Sequence, residues 1–215
     1  MRLALVDIDQ TLILKDSETL WCRYLTRNGI YDMSRIEGFY RDYIAGQLDF
    51  DAFARFQLEP LARLDPELLR QHRARFLEEE IVPTLCETLR RRIADHQGRG
   101  DQVLVVSAAH DFLAAPIARM AGIEDGLFTM TEREGRGFTG RVRGLPCFRE
   151  GKVKHVEAWL AERGLGWSDL EDSAFYSDSH NDLPLLRRVR RPVAVRPDAE
   201  LLRVAREESW EVIEA

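Results

Sequence analysis

Two short stretches gather carboxylates more densely than a structural turn needs. One is "DIDQT", with Asp7, Asp9 and Thr11 at alternate positions; the other is "SDSHND", with Asp178 and Asp182 four apart. Crowded like charges repel, so such pairs imply a cation or a reaction that uses them. In DIDQT one carboxylate can act as nucleophile or metal ligand and its neighbour as general acid or base. The same spacing also fits a capped turn in which Asp9 or Thr11 bonds free N–H groups. In SDSHND, Asp178 and Asp182 can complete an oxygen-rich Mg2+ site, with His180 a bystander, because Mg2+ takes oxygen ligands.

Two further residues matter only if they converge on these carboxylates. Ser107 follows the apolar run "VLVV". A hydroxyl there caps a helix or turn, or holds a phosphate oxygen beside free N–H groups. Lys152, in "REGKVKHV", lies on an amphipathic pattern where a lysine is ordinarily solvated. Near an anionic cluster it would offset the charge, with Lys154, two positions on and facing elsewhere, as the rival.

The elements that must position these groups are legible as pattern. "LALVDI", "VLVVSA", "AFYSDS" and "PVAVRP" are short apolar runs that read as strands buried on both faces, and "WEVIE" adds an edge strand. Helical periodicity fills Ser17 to about Phe76 with four helices, one of them over "MSRIEGFYRDYIAGQ". Another helix opens at Pro83, and two more follow over "FLAAPIARMAGI" and "EGKVKHVEAWLAERG". The alternating run "LFTMTEREGRGFTGRVRG" reads as a β-hairpin or flap turning at "EGRG". Strands joined by helical crossovers imply a parallel sheet covered on both faces, a three-layer, Rossmann-like α/β core that binds ligands beyond the carboxyl ends of its strands. Asp7, Ser107 and Asp178 all stand at such ends. The expected division is a core of residues 1–14 and 82–215 with residues 15–81 as a helical insertion.

Bulk properties exclude other classes. The 215 residues carry a formal net charge of −6, which gives no general nucleic-acid footprint. Three scattered cysteines with no CxxC pair support neither a zinc site nor a disulfide framework. The short apolar start is neither leader nor membrane span. The expectation is a cytoplasmic monomer or homodimer acting on a small molecule, without nucleic-acid or membrane partners.

Taken in order, "DIDQT", "VLVVS", "GKVK" and "DSHND" resemble the motifs of the haloacid dehalogenase superfamily of phosphatases, over essentially the whole chain. The similarity is greatest to the phosphoserine-phosphatase-like branch (subfamily IB), which also holds histidinol-phosphate phosphatases. The resemblance implies a helical-bundle cap of the C1 type and a Mg2+-dependent phosphomonoesterase. Asp7 would form an aspartyl-phosphate and Asp9 would act as acid and then base. Thr11, Ser107 and Lys152 would hold phosphoryl oxygens. Asp7, the carbonyl of Asp9 and Asp178 would ligate Mg2+, with Asp182 and Asn181 supporting.

In phosphoserine phosphatases the cap supplies a Glu for the substrate amine and an Arg for its carboxylate. The matching positions here are Asp16 and Gln57, so the amine partner survives and the carboxylate clamp is lost, with Arg55 on another helix face. That favours an amine without a carboxylate, histidinol phosphate above phosphoserine. Trp21, Phe53 and Phe56 either flank its ring or fill the cap core. A rival of another class is a phospho-accepting signalling domain, which needs neither Asp9 nor a cap. A phosphonatase would place a Schiff-base lysine in the cap, where Lys15 at the hinge is the sole lysine before Lys152.

Overall fold

The computed structural model describes residues 1–32, 34, 38–39, 41 and 50–214. The expected apolar runs become β1 (Arg2–Val6), β2 (Gln102–His110), β6 (Asp172–Ser177) and β7 (Arg191–Val195), joined by the edge strands β3 (Gly126–Thr129) and β8 (Glu211–Ile213). They form one sheet in the order β3-β2-β1-β6-β7-β8, parallel at every pairing. Val6 of β1 lies opposite Val105 of β2 and Tyr176 of β6.

Alternation sends successive side chains to opposite faces. Ala4, Val6, Val103, Val105, Ala174 and Tyr176 pack on one side, where helices α4 (Glu87–Gly98) and α5 (Asp111–Met120) bring Leu89, Ile93, Phe112 and Ile117. Leu3, Leu5, Leu104, Val106 and Phe175 pack on the other, against Val156 and Leu160 of α6 (Glu150–Ala161). The short helix α7 (Leu183–Leu186) and α8 (Ala199–Glu207) add Leu185, Leu186, Leu201 and Ala205 to that face. With both faces covered, the central strands carry consecutive apolar residues in their middles rather than alternating.

The insertion comprises α1 (Ser17–Arg27), α2 (Phe50–Arg63) and α3 (Pro66–Phe76). Asp65 caps α3 through Glu67 and Leu68 N–H groups, with Pro66 in the first turn where its missing N–H costs nothing. The helix expected over residues 33–47 falls largely outside the described residues. The chain leaves and re-enters the core by paired segments: Ile13 bridges Leu85, Leu14 N–H donates to Thr84 O at 2.8 Å, and Cys86 N–H donates to Leu12 O at 2.8 Å. Trp21, Leu25, Leu61, Leu69 and Phe76 of the insertion belong to the same apolar cluster as Val6 and Phe112 of the core. The two parts therefore share one interior.

Two expectations are corrected. The alternating run does not form a single hairpin: its first four-residue strand joins β2 in the main sheet, and only β4 (Thr131–Glu134) and β5 (Gly137–Val142) pair as a hairpin. Both pairings use period two, and no Gly or Pro separates Thr129 from Thr131 to mark the change. The hairpin lies on α2, where a Cβ on Gly140 (φ +77°) would come within 3.1 Å of Ala62 Cβ. The helix expected from Pro83 begins instead at Glu87, because Val82–Thr84 makes a separate 3-10 turn and Leu85 is extended.

Candidate active site

The carboxyl ends of β1, β2 and β6 lie side by side, so residues remote in sequence meet. Asp7 N–H donates to Tyr176 O at 3.0 Å, which carries the β1–β6 pairing to the edge of the sheet. Neighbouring strands run about 4.8 Å apart, so the residue that ends β1 and those that follow β6 share one rim. From α6, beyond that rim, Lys152 Nζ donates to Asp7 Oδ1 and to Asp182 Oδ2, both at 2.7 Å. Asp182 Oδ2 also accepts from Ser177 Oγ at 2.6 Å, and Thr11 Oγ1 donates to Asp178 Oδ1 at 3.1 Å. Asp7, Thr11, Lys152, Asp178 and Asp182 are all buried. Lys154 is exposed; of the two lysines, Lys152 is the one in the cluster.

Local geometry sets these positions. After Asp7 the chain makes a wide turn, with Leu12 N–H on Asp7 O and Ile13 N–H on Ile8 O, and Gln10 is left-handed at φ 56°. Asp9 Oδ1 accepts from Ser17 N–H at 2.7 Å, which ties this carboxyl to the first residue of α1. Gly151 lets α6 approach closely: a Cβ there would lie 2.1 Å from Pro146 O. Ser107 is buried on β2, the strand beside β1, and its Oγ accepts from Ala109 N–H at 3.1 Å; its hydroxyl makes no hydrogen bond to Asp7 or Lys152.

The electrostatics are those of an anionic cluster held by one ammonium. Burial, opposed by Lys152 and reinforced by Asp182 and Asp178, pushes Asp7 up to about 7. Burial, then the charges of Asp16 and Asp7, raises Asp9 well above the usual carboxylate range. Burial pushes Asp178 up to about 6 against the Thr11 hydrogen bond. Burial works against the charge on Lys152, but the charges and hydrogen bonds of Asp182 and Asp7 outweigh it and hold the ammonium protonated. Three buried carboxyls beside one lysine leave surplus negative charge that a divalent cation would offset. Among the described residues no three His, Cys, Asp or Glu side chains form a ready metal cluster. The donor set expected for Mg2+ is smaller in side chains: two carboxylates, a main-chain carbonyl and several waters, which suits an ion reluctant to dehydrate. The hard oxygens of Asp7 and Asp178 fit it.

Other expected residues stand apart. Asn181 Oδ1 accepts from Arg149 Nε at 2.9 Å, so its carboxamide is fixed at the rim. Asp16 is exposed, and its Oδ1 accepts from Thr19 N–H at 2.7 Å as the N-cap of α1. Trp21 and Phe56 are buried, Trp21 stacked on Tyr24 and edge-on to Phe76, so both fill the interior rather than a substrate surface; Phe53 packs on Phe39.

The acid the sequence did not single out is Glu18. Its Oε1 accepts from His110 N–H at 3.1 Å, and Gln57 also hydrogen-bonds it. Burial, then the charge of Asp16, pushes Glu18 up to about 7. His110 Nε2 lies 3.8 Å from Glu18 Oε1, while buried His110 Nδ1 has no partner. Glu18 thus follows the residue that holds Asp9 and faces the seam between insertion and core.

Residues 4–187 match the family model described as haloacid dehalogenase-like hydrolase. A protein of Neisseria meningitidis serogroup C (strain 8013) named histidinol-phosphatase is 43% identical over 98% of this chain and 97% of its own. A solved structure of a Bordetella pertussis Tohama I protein of unknown function superposes with a TM-score of 0.95 at 38% identity, covering 99% of this chain and 98% of that one. A phosphoserine phosphatase solved as a phospho-aspartyl intermediate analogue gives a TM-score of 0.69 at 20% identity over 100% and 93% of the two chains, a likeness of fold.

Proposed function

The chain belongs to the haloacid dehalogenase-like hydrolases, and from that footing we propose that it is a Mg2+-dependent phosphomonoesterase whose substrate is histidinol phosphate. The observation that carries the chemistry is the double contact of Lys152 Nζ with Asp7 and Asp182. It supports a reading in which Asp7 Oδ2 attacks phosphorus and Lys152 supplies the cation that phosphoryl oxygens would meet.

The chain's own groups account for the steps. An Asp7 oxygen attacks phosphorus as the ester P–O bond breaks, giving an aspartyl-phosphate. Asp9, whose carboxyl burial raises well above the usual carboxylate range, passes a proton to the leaving alkoxide. The Asp9 carboxylate then takes a proton from water, whose oxygen attacks the same phosphorus, freeing phosphate and restoring Asp7. Thr11, Ser107 and Lys152 bind phosphoryl oxygens, and Asp182 holds Lys152 in place. Mg2+ on Asp7, Asp178 and the Asp9 carbonyl would supply the positive charge that lets a carboxylate approach a phosphate dianion.

The substrate reading rests on the insertion. Gln57 stands where a carboxylate-binding arginine would be expected, and its partner is Glu18. A half-buried acid paired with an amide and a histidine suits a leaving group bearing an ammonium or imidazole and no carboxylate. The named relative at 43% identity points the same way. Among the described residues no helix is long and apolar enough to cross a membrane, and Cys22, Cys86 and Cys147 are buried and unpaired, which fits work in the reducing cytoplasm.

A panel of phosphomonoesters assayed with Mg2+ and with chelator tests this. The expected outcome is Mg2+-dependent turnover with kcat/KM highest for histidinol phosphate. A preference for phosphoserine overturns the substrate, and metal-independent or absent turnover across the panel overturns the activity.

A further inference from the structure

The loop that follows β7 touches both carboxylate-bearing loops of the site, and its Arg196 reaches the hinge of the insertion as well. Arg196 Nη2 donates to Gln10 O at 2.6 Å and Thr11 O at 2.9 Å, and Nη1 donates to Cys86 Sγ at 3.3 Å. Gln10 and Thr11 belong to the turn that carries Asp9; Cys86 is where the chain re-enters the core, its N–H on Leu12 O. Two residues further along the same loop, Asp198 N–H donates to Asp178 O at 2.8 Å, and Asp198 Oδ2 accepts from His180 N–H at 2.7 Å.

The backbone bears a cost for this arrangement. Arg196 is left-handed at φ 42°, and so is Gln10 at φ 56°, in a region that non-glycine residues enter only when their surroundings hold them there. Arg196 N–H is anchored to Ile213 O at 2.7 Å, so the side chain reaches from a fixed point of the sheet. A guanidinium presents several donors in a rigid fork, and here they converge on two consecutive carbonyls and a thiol, which an ammonium could not match together.

The geometry points to Arg196 as a positioning residue: it locks the Asp9–Thr11 turn to the hinge of the insertion, so that general acid and phosphate-binding hydroxyl keep one placement relative to both parts. It acts through main-chain carbonyls and touches no reacting atom.

Hydrogen exchange and kinetics on Arg196→Ala and Arg196→Lys test this. Amides of residues 10–14 and 84–86 should exchange at least about tenfold faster in Arg196→Ala while the melting temperature stays within a few degrees of wild type. On p-nitrophenyl phosphate, kcat should fall about 10- to 100-fold with KM changed less than about threefold, and Arg196→Lys should recover only part of it. Unchanged exchange in the two segments overturns the inference, as does a kcat within about twofold of wild type. Should Arg196→Ala fail to fold, Arg196→Lys carries both comparisons, because it keeps the charge and loses the fork. The inference rests on the phosphatase reading only in its kinetic arm. Loss of that reading would appear as a wild type inert on every phosphomonoester, with the exchange result still deciding the hinge.

Discussion

Lys152 Nζ stands 2.7 Å from Asp7 Oδ1 and 2.7 Å from Asp182 Oδ2, two carboxylates that lie 175 residues apart in sequence. One ammonium thereby fixes the end of β1 against the N-cap of α7. Removing it would leave two buried acids without their shared partner, and would take a cation from the place where phosphoryl oxygens would bind. Lys152→Ala should lower kcat by about 100- to 1000-fold, the usual cost of losing one preorganised electrostatic partner. Lys154→Ala, which alters only an exposed side chain, should stay within about twofold. Steady-state rates on one phosphomonoester decide it, and equal losses in the two variants would remove Lys152 from the site.

Asp7→Asn keeps the shape of the side chain while removing both the proposed nucleophile and one negative charge from a crowded cluster. Turnover should vanish. The relief of repulsion from Asp178 and Asp182 offsets the weakened bond to Lys152, so the melting temperature should stay within about 4 °C of wild type, roughly 1 kcal/mol for a chain of this size. Near-normal turnover in this variant would show that another group attacks phosphorus.

On the proposed reading Glu18 takes the substrate-cation role that the family resemblance implies for Asp16, whose carboxylate caps α1. Glu18→Gln should reduce kcat/KM for histidinol phosphate about 10- to 100-fold, the worth of one hydrogen bond to a charged group, yet alter p-nitrophenyl phosphate less than about threefold. Asp16→Ala should leave both activities near wild type and cost about 1 kcal/mol through the lost N-cap of α1, a fall of about 2–4 °C in melting temperature. The reverse pattern would return the substrate cation to Asp16.

These assignments show where sequence pattern stops being sufficient. β1, β2, β6 and β7 were legible because a strand buried on both faces must be apolar throughout. Their order was not, since a crossover helix fixes hand but not which neighbour a strand takes. Asp7, Lys152 and Asp178 were legible as ordered motifs. Glu18 was not: an acid in the first turn of a helix is ordinary there, and only its half-buried place beside His110 and Gln57 separates it from a solvated one. Arg196 was hidden in a basic run, because its partners are main-chain oxygens 185 and 186 residues away.

His110 gives a pH dependence of stability. Burial lowers its pKa to about 4, so the folded protein keeps it neutral where an unfolded chain, near 6.5, takes up a proton. The unfolded state therefore binds more protons between those values. The contribution is present above about pH 6.5 and is lost as pH falls toward 4, by about 2 kcal/mol between pH 7 and pH 5. Glu18 works in the opposite sense over that range, its folded pKa being raised, while Asp111 and Arg73 also act on the imidazole. The measurement is thus a difference: urea unfolding of wild type and His110→Asn at pH 7 and pH 5. The variant should lose less stability on acidification, and identical losses would mean that His110 is not neutral in the folded state.

Packing at Gly151 connects stability to the site. A methyl group there would meet Pro146 O at 2.1 Å, a main-chain atom with no rotamer by which to retreat. Either α6 shifts outward or the 145–146 segment moves, and Lys152, the next residue, shifts with the helix. Gly151→Ala should cost about 1–3 kcal/mol, the usual range for overpacking, seen as a fall of about 3–10 °C in melting temperature. Gly164 is the control. It lies beyond the other end of α6 in open space at φ +68°, so alanine there is strained in backbone but far from Lys152. Gly164→Ala should cost about 1 kcal/mol and leave kcat unchanged, whereas Gly151→Ala should lower kcat as well as stability. If both substitutions lower stability and neither touches kcat, the placement of Lys152 does not depend on the close approach of α6 to Pro146.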